Sequence, residues 1–195
     1  LGMGNLVEDA FTATGWLLVG LLQIAVLVAV IGPLQRWRPV EPITDRAEIR
    51  TDILYTLVHR LGLFRVRLFF ALEQVLDDGW VRVMGLSTFH LDDMLGSLWP
   101  GVTDLPLASF LMYLVVFDFV DYWIHRGQHG FNWWWSLHAL HHSQRQMTMW
   151  SDNRNHLLDD VLRDCIIVVV AQLIGIALGQ FVAVVAFTQL SESFQ

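Results

Sequence analysis

Residues 15–34 read GWLLVGLLQIAVLVAVIGPL, twenty positions without a charge. At about 1.5 Å of rise per residue, a helix of that length spans roughly the 30 Å of a bilayer core. The apolar run of a cleaved signal peptide would be shorter and would lead to a small-residue cleavage site. Here RWRPVEPITDRAEIR follows instead, and the run is predicted to be a transmembrane helix. Residues 105–124, LPLASFLMYLVVFDFVDYWI, repeat the pattern and are acidic only toward their C-terminal end.

Two further stretches are less regular. Residues 52–76 are apolar at both ends but carry His59, Arg60, Arg65 and Arg67 in the middle. Arginine at mid-bilayer is costly, so these side chains should face protein, water or headgroups. The stretch is a tilted second span or an amphipathic helix at the interface. Residues 77–104 set Asp77, Asp78, Asp92, Asp93 and Asp104 against Arg82 and read as a loop. A polar segment, 143–164, precedes the apolar residues 165–190. That last run exceeds one crossing, which leaves one long tilted helix or a tight hairpin broken near Gly175 and Gly179. The expected fold is all-α: a single membrane domain over 1–195, a helical bundle of about four spans (15–34, 52–76, 105–124, 165–190).

Composition supports a membrane chain. Hydrophobic residues make up 54% and charged residues 16%, where soluble domains approach a quarter charged. All basic residues are arginines, the net charge is −7, and no basic stripe exists to neutralise phosphates, which argues against nucleic acid. Cys165 is the single cysteine, so neither a disulfide framework nor a thiolate metal site arises within the chain. A chain that opens on Leu1 and stops at Gln195 inside a helical pattern is expected to be part of something longer. Arginine placement orients it. Glu8 and Asp9 precede the first span, Arg36, Arg38, Arg46 and Arg50 follow it, and 125–163 carries Arg126, Arg145, Arg154 and Arg163. The N-terminus is expected outside and the histidines on the cytoplasmic side.

Five of the eight histidines fall within 125–142, HRGQHGFNWWWSLHALHH. His125 and His129 are four apart; His138, His141 and His142 are spaced by three and four. On helices each set would lie on one face. Neutral imidazole is the commonest metal ligand, and an i, i+4 pair reaches one ion without backbone strain. His59 and His90 read better as hydrogen-bonded histidines. A heme would need one or two axial ligands and leave adjacent His141 and His142 surplus. A zinc protease would carry HExxH, which is absent. An all-histidine, oxygen-reactive iron site accounts for more of the residues. Trp133, Trp134 and Trp135 suit an interfacial aromatic belt, at least two of them.

The run Asp118-Phe-Val-Asp121-Tyr122-Trp-Ile-His125-Arg126-Gly-Gln-His129, followed by Trp135-Ser-Leu-His138-Ala-Leu-His141-His142-Ser143, resembles the membrane fatty acid hydroxylase / sterol desaturase superfamily. Its members carry HxxxH and HxxHH boxes, with Tyr three residues before the first and Trp three before the second. The resemblance implies a four-span membrane enzyme whose cytoplasmic helical cap, here 125–160, holds two non-heme irons. It implies hydroxylation or desaturation of an alkyl C–H bond of a lipid (sterol, fatty acyl chain, carotenoid or ether lipid), with dioxygen and electrons from a ferredoxin- or cytochrome-type donor. His125, His129, His138, His141 and His142 would be metal ligands. His156, with Arg154 in the family's Arg-x-His region, would be a further ligand or a neighbour of the site. Asp118 and Asp121 would accept from the ligands' other ring nitrogens; Tyr122 and Arg154 would lie close behind. A salt bridge with Arg126 or Arg154 is the plainer expectation for either aspartate. The family's third histidine box is missing from this chain, so the ligand set is incomplete. Two competing readings are a non-catalytic membrane subunit of a larger complex, derived from such an enzyme, and a heme-binding electron-transfer subunit.

Overall fold

The computed structural model describes residues 3–39, 42, 44–62, 79, 82, 91–102 and 104–193. Among them there is no strand. The helices are α1 (Met3–Val26), a π-helical turn (Leu27–Ile31), α2 (Gly32–Trp37), α3 (Arg46–Arg60), α4 (Leu91–Leu98), α5 (Pro106–Gly130), α6 (Asn132–His138), α7 (Leu157–Ile174) and α8 (Leu178–Glu192). Short 3-10 turns form at His141–Ser143 and Ser151–Asn153. The chain divides into two compact units. One holds Leu1–Gln74, His138–His156 and Gln189–Gln195; the other holds Val75–Leu137 and Leu157–Thr188.

Among the described residues, two helices are long and apolar enough to cross a membrane, Ala13–Trp37 and Pro106–Gly130. They contain the predicted spans 15–34 and 105–124 almost entirely and run a few residues past each. The predicted stretch 52–76 falls on α3 as far as Arg60, and its residues 63–76 lie outside the described residues. The run 165–190 is divided. Gly175 adopts φ +67°, and the Ile176 and Gly175 amides bond to the carbonyls of Ala171 and Gln172. That pairing is a Schellman end, which needs a residue free to enter the left-handed region. The break lies at Gly175, so the reading as one continuous tilted helix does not hold.

In the first unit, α1 passes through the π turn into α2 without a change of direction signal at its caps, both of which are right-handed helical. Pro33 sits just beyond the turn. A proline offers no N–H to the preceding turn and its ring crowds that turn's carbonyl, and a π turn relieves both. Leu27 and Ile31 are buried there, whereas Leu18 and Leu22 are exposed.

Helix α3 begins where Asp45 caps the amides of Ala47 and Glu48 at 2.8 and 3.1 Å. Its stripe Asp52, Thr56 and Arg60 is buried, while Leu54 is exposed. A helix with its polar stripe inside and leucine outside is inverted relative to a water-soluble one. The polar stripe receives the segment 144–154. Gln146 accepts from the Thr44 amide at 3.0 Å, and the Thr56 hydroxyl donates to the Trp150 carbonyl at 3.1 Å. Arg60 donates to the Gln189 carbonyl at 2.9 Å.

The second unit is centred on Tyr113, Phe117, Phe181 and Val184, from α5 and α8, with Ile167, Val170 and Ala171 of α7 against them. Gln180 donates to the Ser109 hydroxyl at 2.9 Å, which satisfies polar groups inside an apolar contact. The opposite face of α5 exposes Leu107, Leu111, Val115 and Phe119.

Candidate metal centre

Helix α5 starts at Pro106, whose fixed φ and missing N–H suit the first helical turn. It continues past the predicted end of its span to Gly130, so His125 and His129 stand on the same rigid helix that the apolar run builds. Their Nε2 atoms are 3.1 Å apart. Phe131 is extended and ends the helix; α6 begins at the next residue. Trp135 of α6 lies 5.1 Å, ring to ring, from His129.

The second box does not form one helical face. His138 is the last residue of α6, and His141 and His142 fall in the following 3-10 turn. The His138 ring stands 5.0 Å from that of His142 and 5.4 Å from that of His141. Within the continuous stretch 125–142, His125, His129, His138 and His142 each offer a ring nitrogen, and these atoms all lie within 4.8 Å of one another. Imidazole–metal bonds of about 2.0–2.1 Å place ligand nitrogens roughly 3–4 Å apart. A small rotamer adjustment therefore seats one first-row ion, and the all-nitrogen donor set suits iron as well as zinc, copper or nickel. The four histidines form a cluster able to bind a metal.

Residues 110–195 match the family model described as fatty acid hydroxylase.

The match includes both histidine boxes and agrees with the resemblance read from them. No curated protein and no solved structure matches the chain. Within the matched segment, the other predicted site residues have distinct placements. His141 is outside the four-histidine group, and its buried Nδ1 has no hydrogen-bond partner among the described residues. His156 is exposed and also outside the group. Asp118 is exposed. Asp121 accepts from Arg163 of α7 at both oxygens, from Nε and from an Nη, each at 2.9 Å; its ion-pair partner is thus Arg163 and not Arg126 or Arg154. Tyr122 is exposed and accepts from Arg126 at 3.2 Å. Arg154 is buried in the first unit, where its Nε donates to Asp52 at 2.6 Å and an Nη to Glu48 at 3.1 Å.

Trp133 and Trp135 are exposed, as an interfacial belt requires, but Trp134 is 8% exposed. Its indole N–H donates to Asp159 Oδ1 at 2.7 Å, and the same oxygen accepts from Gln128 at 2.9 Å. Nothing in the sequence singled out Asp159 or Gln128. The available signal was the acidic pair Asp159-Asp160 opening an apolar run, which marks a helix start and nothing more.

Proposed function

We propose that this chain belongs to a membrane-bound, non-heme di-iron oxygenase that hydroxylates or desaturates an alkyl C–H bond of a lipid, using dioxygen and electrons from a ferredoxin- or cytochrome-type donor. The observation that carries the reading is the convergence of His125, His129, His138 and His142 within a segment that matches the fatty acid hydroxylase model. Bound iron would supply the oxygen and C–H chemistry, which no side chain of this protein can perform alone.

The protein's own part is placement. His125, His129, His138 and His142 would hold one ion. His141, with its buried ring nitrogen, and His156 would contribute toward a second. Trp135 covers one side of His129 and limits water there. On α5, the exposed residues Leu107, Leu111, Val115 and Phe119 are spaced by four and lead along the helix to Tyr122, His125 and His129, which are also exposed. One face of one helix therefore passes from a lipid-contacting stripe to the histidine pair. An alkyl chain lying along that stripe would bring its C–H bonds to the metal without leaving an apolar surface. Arginines flanking the boxes favour the cytoplasmic side for them, where a soluble reductant would arrive.

The test is elemental analysis of the purified protein together with dioxygen consumption in the presence of a chemical reductant and membrane lipid extract. The four-histidine group accounts for about one iron per chain and a complete di-iron centre for about two, with lipid-dependent oxygen uptake that His125→Ala abolishes. Purified protein without iron, and unable to take it up, would overturn the reading and leave a membrane scaffold. A Soret band would instead identify a heme protein.

A further inference from the structure

Asp159 is the third residue of α7 and is 2% exposed. A carboxylate so buried needs donors, and Asp159 Oδ1 has one from each histidine-bearing helix: Gln128 of α5 at 2.9 Å and Trp134 of α6 at 2.7 Å. The first turn of α7 adds its dipole, which favours negative charge. Gln128 immediately precedes His129 and follows His125 by three. Trp134 stands one turn before His138. Gly127 completes the contact, because a Cβ there would meet the Trp134 ring at 3.0 Å; glycine lets the indole lie against α5. One turn further along α7, Arg163 grips Asp121, four residues before His125.

The connection between α5 and α6 is the single residue Phe131. Phe131 donates to the Gly127 carbonyl and accepts from the Trp134 and Trp135 amides, which ties it to both helix ends, and the angle between the helices further depends on the side chains packed between them. Helix α6 is about 10 Å long at 1.5 Å per residue, so a swing of about 10° moves its last residue by nearly 2 Å. That residue is His138. A metal site tolerates about 0.5 Å before its geometry degrades. Asp159 itself is not a member of the histidine group.

We propose that Asp159 is a positioning residue: by accepting hydrogen bonds from Gln128 and Trp134 it sets the angle between α5 and α6 and thereby the separation of their imidazoles. The effect on metal rests on the metal-binding reading above; the effect on the two helices does not.

The test uses the purified protein in detergent with Co(II) alone as the probe. Asp159→Leu removes the acceptor, and Asp159→Asn keeps an oxygen in its place. Asp159→Leu is expected to weaken Co(II) binding about 10-fold, the low end of what loss of a ligand's own hydrogen-bond partner costs, and to change the visible d–d spectrum. Asp159→Asn is expected to restore both to near wild type. Wild-type affinity and spectrum in Asp159→Leu would overturn the proposal, as would an Asp159→Asn variant as impaired as Asp159→Leu. Wild-type protein that takes up no Co(II) would instead count against the functional reading. Asp159 is then decided on the metal-free protein by amide hydrogen exchange over residues 125–138, which should quicken in Asp159→Leu and stay unchanged in Asp159→Asn; equal exchange in all three overturns it. Should Asp159→Leu fail to fold, Trp134→Phe removes one donor while keeping an aromatic ring beside Gly127, with a smaller change in the same direction expected and no change fatal.

Discussion

Arg154 and Asp52 stand 102 residues apart in the chain and meet at 2.6 Å, with Asp52 wholly inaccessible to solvent. The second oxygen of Asp52 is buried and has no hydrogen-bond partner among the described residues, so the charge of Arg154 is what this carboxylate depends on. The arginine of the Arg-x-His segment thus braces the loop that follows the second histidine box against α3.

Removing one member of such a pair strands the other. Arg154→Met is expected to lower stability by about 3–5 kcal/mol, read from unfolding in graded denaturing detergent. The double variant Asp52→Leu, Arg154→Met should recover part of that loss, because the fully buried carboxylate is gone, while Glu48, 10% exposed and the other partner of Arg154, still loses its cation. Equal losses in single and double variants would show that Asp52 does not need its partner.

Asp121 and Arg163 form the contrasting case. Their side chains keep 22% and 26% of their surface exposed, so solvent screens the pair despite its two-point geometry. Arg163→Gln is expected to cost about 0–1 kcal/mol in the same assay, well below Arg154→Met. A larger loss would mean that the pair is carrying more of the α5–α7 contact than its exposure suggests.

The four clustered histidines and the two outside the cluster should separate in metal binding. Substituting His125, His129, His138 or His142 by alanine is expected to remove most bound metal, measured by elemental analysis after dialysis. His156→Ala should retain the ion that those four hold. A His156→Ala protein as depleted as His125→Ala would place the centre elsewhere than the grouped nitrogens indicate.

Metal should also stabilise the fold by mass action. Free ion at a hundredfold excess over its dissociation constant is expected to add about 2.7 kcal/mol, visible as a raised thermal midpoint that EDTA reverses. His129→Ala should abolish the rise. A rise that persists in His129→Ala would come from binding outside the cluster.

Two glycines hold close approaches that alanine would disturb. A Cβ on Gly20 of α1 would overlap the carbonyl oxygen of Arg60, and backbone there has little room to yield. Gly20→Ala is expected to destabilise by about 1–3 kcal/mol or more. Gly127→Ala presses on the Trp134 ring, which can give slightly; a smaller loss is expected, accompanied by weaker metal binding. Gly15 has open space around its Cβ position and serves as the control, with Gly15→Ala near neutral.

The two long apolar helices at 15–34 and 105–124 were legible because a run that is uncharged, or acidic only near its end, leaves a helix few other places to go, and that is a property of contiguous sequence. The spacing of the histidines likewise announced a metal-binding pattern before any fold was considered. Helical periodicity reaches only about one turn, however, and it does not carry past the end of α6. His141 and His142 were expected to share a face with His138, but α6 ends at His138, and His142, not His141, joins the group. The break at Gly175 was one of two options in the sequence, and the left-handed backbone there chose between them. Arg154 is placed near the histidines only by the Arg-x-His resemblance, whereas its hydrogen bonds, which local sequence does not show, run to Glu48 and Asp52 of α3. Asp159 carries no local signal because its two donors, Gln128 and Trp134, lie 31 and 25 residues away. Local sequence determined which helices form and which side chains suit a metal. Only the tertiary structure decided which of them converge, because a buried charge takes whichever donors the packed helices bring to it.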